Sequence, residues 1–187
     1  MAELQNAKSQ LLDCAEGLIQ TRGFNDFSFR DLADSVGISS ASVHHHYRTK
    51  EDLGVAVTAR YTEKFIEKLN TEVENNNQPK KLLNTYVKLF RNSLVEDGRM
   101  CLCGMLGAEI DSLPKSVAKE AKIFFEKNIE WLNHVFKLAN TTSTAQADLK
   151  AKIFLSTLEG VMILARTSEN NKLFDEVTKN LVDRLLQ

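Results

Sequence analysis

Only two prolines and eight glycines punctuate these 187 residues. So thin a supply of turn and strand breakers argues against many short strands and favours a few long helices. Three cysteines, an odd number, do not make a paired disulfide framework. Charge of one sign is missing too: 24 Lys+Arg stand against 25 Asp+Glu, a formal net charge of -1. Composition alone therefore gives no reason to expect nucleic acid or an anionic membrane as a partner. Long apolar runs are absent as well. The longest uncharged one, Val161 to Ala165, is far below the ~18 residues a membrane span needs. The start, Met1-Ala2-Glu3-Leu4-Gln5-Asn6, lacks the basic head and apolar stretch of an export signal. These absences lead to the expectation of a cytoplasmic chain with reduced thiols and no membrane partner.

What is present is helical periodicity. Leu4, Ala7, Leu11, Ala15 and Leu18 recur at three- and four-residue steps as one face of a first helix, ended by Gly23. Ser28 and Asp31 form a capping-box-like pair that opens a short helix through Val36. Gly37 stops it, and Ser39 or Ser40 caps another about three residues later. Two short helices around so tight a glycine turn are a helix-turn-helix pattern. Thr49 with Asp52 repeats the capping pattern and opens a long helix carrying Leu53, Val57, Tyr61, Phe65, Leu69 and Val73 at four-residue steps. The polar stretch from Glu74 to Pro79 reads as a linker.

Five further helices are expected at about Lys80–Val95, Cys101–Asp111, Lys115–Leu138, Ala145–Thr167 and Lys172–Leu186. On the third of these, Ala118, Ala121, Phe125, Ile129, Leu132 and Phe136 make one apolar stripe. Val117, Phe124, Trp131 and Val135 make a second. So wide a face needs two packing neighbours. The fold class expected is all-α, about nine helices: a three-helix helix-turn-helix domain at 1–50 and a helical domain at 51–187. The last two helices are also broadly apolar, with small Ser156 and Gly160 permitting close approach. That pattern suits an intramolecular core and equally a two-fold dimer surface.

Chemistry concentrates between Ser35 and Lys50, where there is no acidic residue. A short helix there starts with small hydroxyls at Ser39, Ser40 and Ser42 and continues with His44, His45 and His46. Side chains at the start of such a helix can reach base edges in a major groove while Val43 faces the core. Three consecutive histidines project about 100° apart and cannot converge on one metal ion, so no metal is assigned. His46, beside Tyr47, can equally pack within the small domain.

The stretch from Phe27-Ser28-Phe29-Arg30-Asp31-Leu32-Ala33 to Gly37-Ile38-Ser39, continuing through Ser42-Val43-His44-His45-His46-Tyr47-Arg48-Thr49-Lys50-Glu51-Asp52-Leu53, resembles the DNA-binding signature of the TetR family of transcriptional regulators. The resemblance covers roughly residues 8–57. It implies an all-helical homodimer with an N-terminal helix-turn-helix and a C-terminal ligand-binding and dimerisation domain. It also implies that Ser28 and Arg30 contact DNA from the start of the second helix. Ser40, Ala41, Ser42, His44 and His45 match the recognition helix capped by Ser39, and Lys50 matches a phosphate-binding lysine. His44 stands where the family usually has Tyr, and Ala41 where Gly is common. No Lys or Arg precedes Arg48 in the recognition helix, so the usual bidentate guanine reader is missing.

A second stretch, Arg99-Met100-Cys101-Leu102-Cys103-Gly104-Met105-Leu106-Gly107-Ala108-Glu109, is similar to the segment carrying the reactive cysteine in the N-ethylmaleimide-sensing branch of that family. The likeness marks Cys101 and Cys103 as candidate sensing thiols. Cys101 is equally readable as a small buried filler, and Cys14 as core. Phe90, Met105, Phe124 and Trp131 are the candidate lining of a site for a small-molecule effector, aromatic or lipophilic in character.

No nucleophile–base–orienter set is recognisable, so no enzyme and no cofactor are expected. The function expected is a DNA-binding regulator, most simply a repressor released from an inverted-repeat operator by a small molecule or a thiol-reactive electrophile. A helical adaptor without specific DNA binding is the alternative. Residues 1–55 hold five Lys+Arg against eight Asp+Glu. Non-specific DNA binding should accordingly be weak, with a shallow salt slope, and strengthen as pH falls through the histidine range near ~6.5.

Overall fold

The computed structural model describes residues 2–75, 77–139 and 143–187. Among the described residues every regular element is helical: α1 (Ala2–Arg22), α2 (Phe29–Val36), α3 (Ser40–His46), α4 (Lys50–Asn75), α5 (Pro79–Arg91), α6 (Leu102–Ala108), α7 (Lys115–Leu138), α8 (Thr144–Thr167), α9 (Lys172–Thr178) and α10 (Leu181–Leu186). Among the described residues the nine-helix plan is observed, with the last expected helix interrupted at Lys179–Asn180. Asn180 leaves helical geometry there, at φ -117° and ψ 7°, as a residue whose side chain competes with backbone hydrogen bonds does readily. None of the described helices is long and apolar enough to cross a membrane.

Two other expected helices are shorter than their periodicity suggested. α5 ends at Arg91 and widens into a π-helical turn, Asn92–Glu96, closed by the Asp97 amide on the Asn92 carbonyl at 3.1 Å. The Cys101–Asp111 segment divides into α6 and a 3₁₀ turn at Ile110–Ser112, with Glu109 out of helical geometry between them. The side chain of Glu109 is used elsewhere, as shown below. Asn76 of the expected linker lies outside the described residues.

Packing groups the chain into two compact units, each with its own core. The first comprises residues 1–63 and 102–124, the second residues 64–101 and 125–187. This partition differs from a single cut at residue 50, because α4 and α7 each continue from one unit into the other. In the first unit Leu11, Ile19, Leu32, Val43, Leu53 and Val57 are wholly buried. Leu106 of α6 and Val117 of α7 join them in that core. Arg60 of α4 pairs with Asp13 at 2.7 Å and Glu16 at 3.3 Å on α1. Cys14 is half-buried on the flank of α1 rather than in its core.

The second unit is built around aromatic rings. Tyr86 of α5 is fully buried and lies 5.4 Å from Phe65, 5.4 Å from Phe90, 5.8 Å from Trp131 and 5.6 Å from Phe154, centroid to centroid. Its hydroxyl donates to Asn128 Oδ1 at 2.6 Å, which pairs two polar groups of this interior. Both stripes of α7 meet neighbours, as its width requires. Val117, Phe124, Trp131 and Val135 are buried in full or nearly so, and Ala121, Leu132 and Phe136 join them from the other stripe.

Candidate nucleic-acid interface

The local chemistry of residues 23–50 explains how α2 and α3 are presented. Gly23 leaves α1 at φ +90°, its amide bonded to the Ile19 carbonyl at 2.9 Å. Ser28 then caps α2 through a reciprocal box: Asp31 N donates to Ser28 Oγ at 3.3 Å, and Ser28 N donates to Asp31 Oδ2 at 2.7 Å. The Ser28 side-chain and backbone hydrogen bonds hold the Asp31 carboxyl below its usual range. Gly37 takes the left-handed conformation, φ +76°, with its amide on the Ala33 carbonyl at 2.9 Å. Open space surrounds it, so the backbone angle and not crowding demands glycine there.

Ser39 caps α3, its Oγ accepting from Ser42 N at 3.1 Å. Val43 and Tyr47 are buried and anchor the inner face of α3. Ser39, Ser40, Ala41, His44 and His45 are exposed, while Ser42 and His46 are half-buried. Ser28 and Arg30 are exposed at the start of α2. His44 packs edge-on against Phe29 of α2, ring centroids 4.8 Å apart, and His45 and His46 lie 5.7 Å apart. Apart from half-buried Ser42 and Lys50, the expected DNA-facing set is therefore brought to neighbouring exposed positions of two capped helices, and no acid occurs between Ser35 and Lys50.

Lys50 is placed differently from the rest. Its Nζ donates to the Phe27 carbonyl and lies 4.2 Å from the Phe27 ring centroid and 4.9 Å from that of Phe24. Burial pushes its ammonium pKa down, against the opposing charges of Glu109, Asp31 and Asp26. The first residue of α4 thus holds the turn that precedes α2 by a cation–π and carbonyl clamp. Thr49 and Asp52 cap the same helix end with bonds of 3.0 Å in each direction.

Sequence reasoning missed Glu109 as part of this arrangement. Phe24 N donates to Glu109 Oε2 at 2.6 Å, and Asn25 N and Nδ2 donate to Oε1 at 3.4 and 3.3 Å. A carboxylate just past α6 therefore fixes the turn between α1 and α2. Its only sequence signal is its place at the end of the Leu106-x-Ala108-Glu109 pattern.

The candidate effector residues divide between the units. Phe90, Cys101 and Trp131 belong to the second, while Cys103, Met105 and Phe124 belong to the first, where the Phe124 ring lies 5.5 Å from that of Tyr61. Cys101 and Cys103 are 2% and 0% exposed. The Cys101 thiol hydrogen-bonds the Glu159 carboxyl, and burial pushes Glu159 up to about 7. Glu159 was also missed, although it is the one charged residue between Lys152 and Arg166 in an otherwise uncharged run.

A buried-core pair of short helices, a left-handed glycine turn and an acid-free outer helix face define a DNA-binding helix-turn-helix protein. A family model described as bacterial regulatory proteins, tetR family, matches residues 11–57. A TetR transcriptional regulator from Legionella pneumophila is 34% identical, with a TM-score of 0.87 over 96% of this chain and 97% of that one. A TetR-family regulator from Agrobacterium tumefaciens is 29% identical, with a TM-score of 0.90 over 97% and 98%. The chain belongs to the TetR family of bacterial transcriptional regulators. The HTH-type transcriptional repressor KstR2 of Rhodococcus jostii is 41% identical over 46 residues, 25% of this chain and 22% of that protein. The match to the curated relatives thus spans about a quarter of their length.

Proposed function

We propose that the chain is a homodimeric repressor that binds an inverted-repeat operator, one α3 per subunit in successive major grooves, and is released by a reversible small-molecule effector. The observation that carries this reading is the outward face of α3. Ser40, Ala41, His44 and His45 are exposed there while Val43 and Tyr47 pin the opposite face into the core. Arg30 and Arg48, both exposed, supply the phosphate-seeking charge that the recognition helix itself lacks. KstR2, named as a transcriptional repressor, matches this part of the chain and supports repression over activation. A DNA partner makes the cytoplasm the place of action.

Dimerisation is supported by α8. Leu149, Ile153, Ile163 and Leu164 are 43–58% exposed, and all four fall on one helical stripe with Ser156 and Gly160 between them. Val177 of α9 adds 41% exposure. Two copies laid together on this stripe would cover it by an isologous contact. Release would follow from a shift of α4, which is continuous from the second unit to Lys50 at the helix-turn-helix and would change the separation of the two α3 helices.

Reversible binding is favoured over electrophile sensing by the surroundings of Cys101. A thiol sensor needs access and thiolate character, whereas Cys101 is 2% exposed and hydrogen-bonded to a carboxyl. Electrophile sensing, expected from the likeness to the N-ethylmaleimide-sensing branch, is accordingly not part of this proposal. DNase I footprinting of the DNA upstream of the chain's own gene tests the operator reading. Two protected half-sites related by two-fold symmetry, their centres one turn or a multiple of ~10 bp apart, are expected. Absence of protection would refute it.

A further inference from the structure

We infer that the aromatic interior around Tyr86 in the second unit is a ligand site for an aromatic organic cation, with Glu159 as the partner of its ammonium group. The inference rests on the effector-released reading above and names the chemistry of the effector.

Two buried polar atoms of that interior are unused. Trp131 Nε1 has no acceptor although Trp131 is only 8% exposed, and Glu159 Oε1 has no donor. Protein interiors rarely leave such groups unpaired, because each forfeits its bond to water with nothing in return. Both belong to the surroundings of Tyr86. The indole is 5.8 Å from the Tyr86 ring, and Glu159 and Cys101 lie close enough for their charges to help raise the Tyr86 hydroxyl's pKa, which burial chiefly drives. The other neighbours of Tyr86 are rings: Phe90 stacks on it with 19° between planes, and Phe65 and Phe154 meet it edge-on.

A carboxyl among aromatic faces selects a cation, since the ammonium pairs with the carboxylate while the rings offer it their negative faces. An anion would gain no ion pair from Glu159 and would meet its like charge wherever the carboxyl is ionised. Trp131 Nε1 adds a demand for a hydrogen-bond acceptor on the ligand. Glu159 is also poised for the exchange: burial pushes its carboxyl up to about 7, with Cys101 and Tyr86 as the titratable groups beside it. An arriving ammonium would draw the carboxyl into its ionised form and release a proton.

Trp131 is the chain's one tryptophan, so its emission reports this interior alone. The probes are tyramine, an aromatic cation with a phenolic oxygen, and tyrosol, its neutral counterpart with a hydroxyl in place of the ammonium. Tyramine should change Trp131 emission saturably in the wild-type chain, and tyrosol should bind at least about tenfold more weakly. Glu159→Gln should bring tyramine down to the level of tyrosol while its far-ultraviolet circular dichroism stays that of wild type. Cys101→Ala should keep tyramine binding within a few fold. The inference is overturned by failure of tyramine to saturate at millimolar concentration, by equal binding of tyrosol, by a Glu159→Gln chain that binds tyramine undiminished, or by loss on Cys101→Ala alone. Operator binding by the ligand-free chain, measured in parallel, separates the two readings. Operator binding without tyramine binding refutes only the ligand class, and tyramine binding without operator binding refutes the repressor.

Discussion

Replacing Glu109 by Ala removes the carboxylate that holds the turn between α1 and α2. The bond from Phe24 N, at 2.6 Å, is short and charge-assisted, worth about 1.5–3 kcal/mol. The two bonds from Asn25, at 3.4 and 3.3 Å, lie near the limit of useful geometry and add little. A loss of roughly 2–3 kcal/mol is expected. At ~2–4 °C per kcal/mol for a chain of this size, that is a fall in Tm of roughly 4–12 °C by calorimetry. Gly23 gives an internal check. A Cβ there would stand 2.8 Å from Glu109 Oε1, and the backbone is at φ +90°. Gly23→Ala therefore costs both a clash and backbone strain in the wild-type background, but only the strain once Glu109 is Ala. The double variant should be less destabilised than the sum of the singles by about 1 kcal/mol or more. Strict additivity, or a Glu109→Ala chain within ~0.5 kcal/mol of wild type, would refute the clamp.

Lys50→Met should lower stability by about 1 kcal/mol, after discounting for the partial exposure of the ammonium, and leave the salt slope of DNA binding unchanged. A slope reduced by about 0.9 at unaltered stability would instead make Lys50 a phosphate contact. Leu164→Arg places a charge on the exposed stripe of α8 and should convert dimer to monomer in sedimentation without loss of helix; a persisting dimer would move the interface elsewhere. Glu159 is an acid whose folded pKa, about 7, lies above its ordinary value of 4.5, so between these the native state binds more protons than the unfolded one. Stability should fall as pH rises through that window, by at most roughly 3–4 kcal/mol from this group, and Glu159→Gln should flatten the dependence in denaturant titrations from pH 4.5 to 8.

The parts of the fold legible in the sequence are those set by neighbours along the chain. The boxes Ser28/Asp31 and Thr49/Asp52 join residues three apart, and both are formed. Gly37 needs only its own φ, and the burial of Val43 follows from helical phase. The paired stripes of α7 were readable for the same reason. Contacts across long sequence separations were not. Nothing near Lys50 announces that Phe27, 23 residues earlier, will take its ammonium, and nothing near Glu109 announces Phe24, 85 residues earlier. The effector candidates were chosen for size and apolarity, which cannot tell Phe90 and Trp131 in one unit from Phe124 in the other. Glu159 had a local signal, a lone charge in an otherwise uncharged run, but its meaning depends on Cys101 and Tyr86 being beside it.

The most direct measurement is a fluorescence anisotropy titration of a labelled duplex from the upstream region with wild type and His45→Glu. His45 is exposed on α3, and the ring contact it makes is to its neighbour His46, so the substitution leaves the core intact. It places a negative charge on the face assigned to the major groove. A loss of affinity of at least about 100-fold at unchanged Tm is expected. Binding of the duplex by His45→Glu with wild-type affinity would contradict the assignment of α3 as the recognition helix.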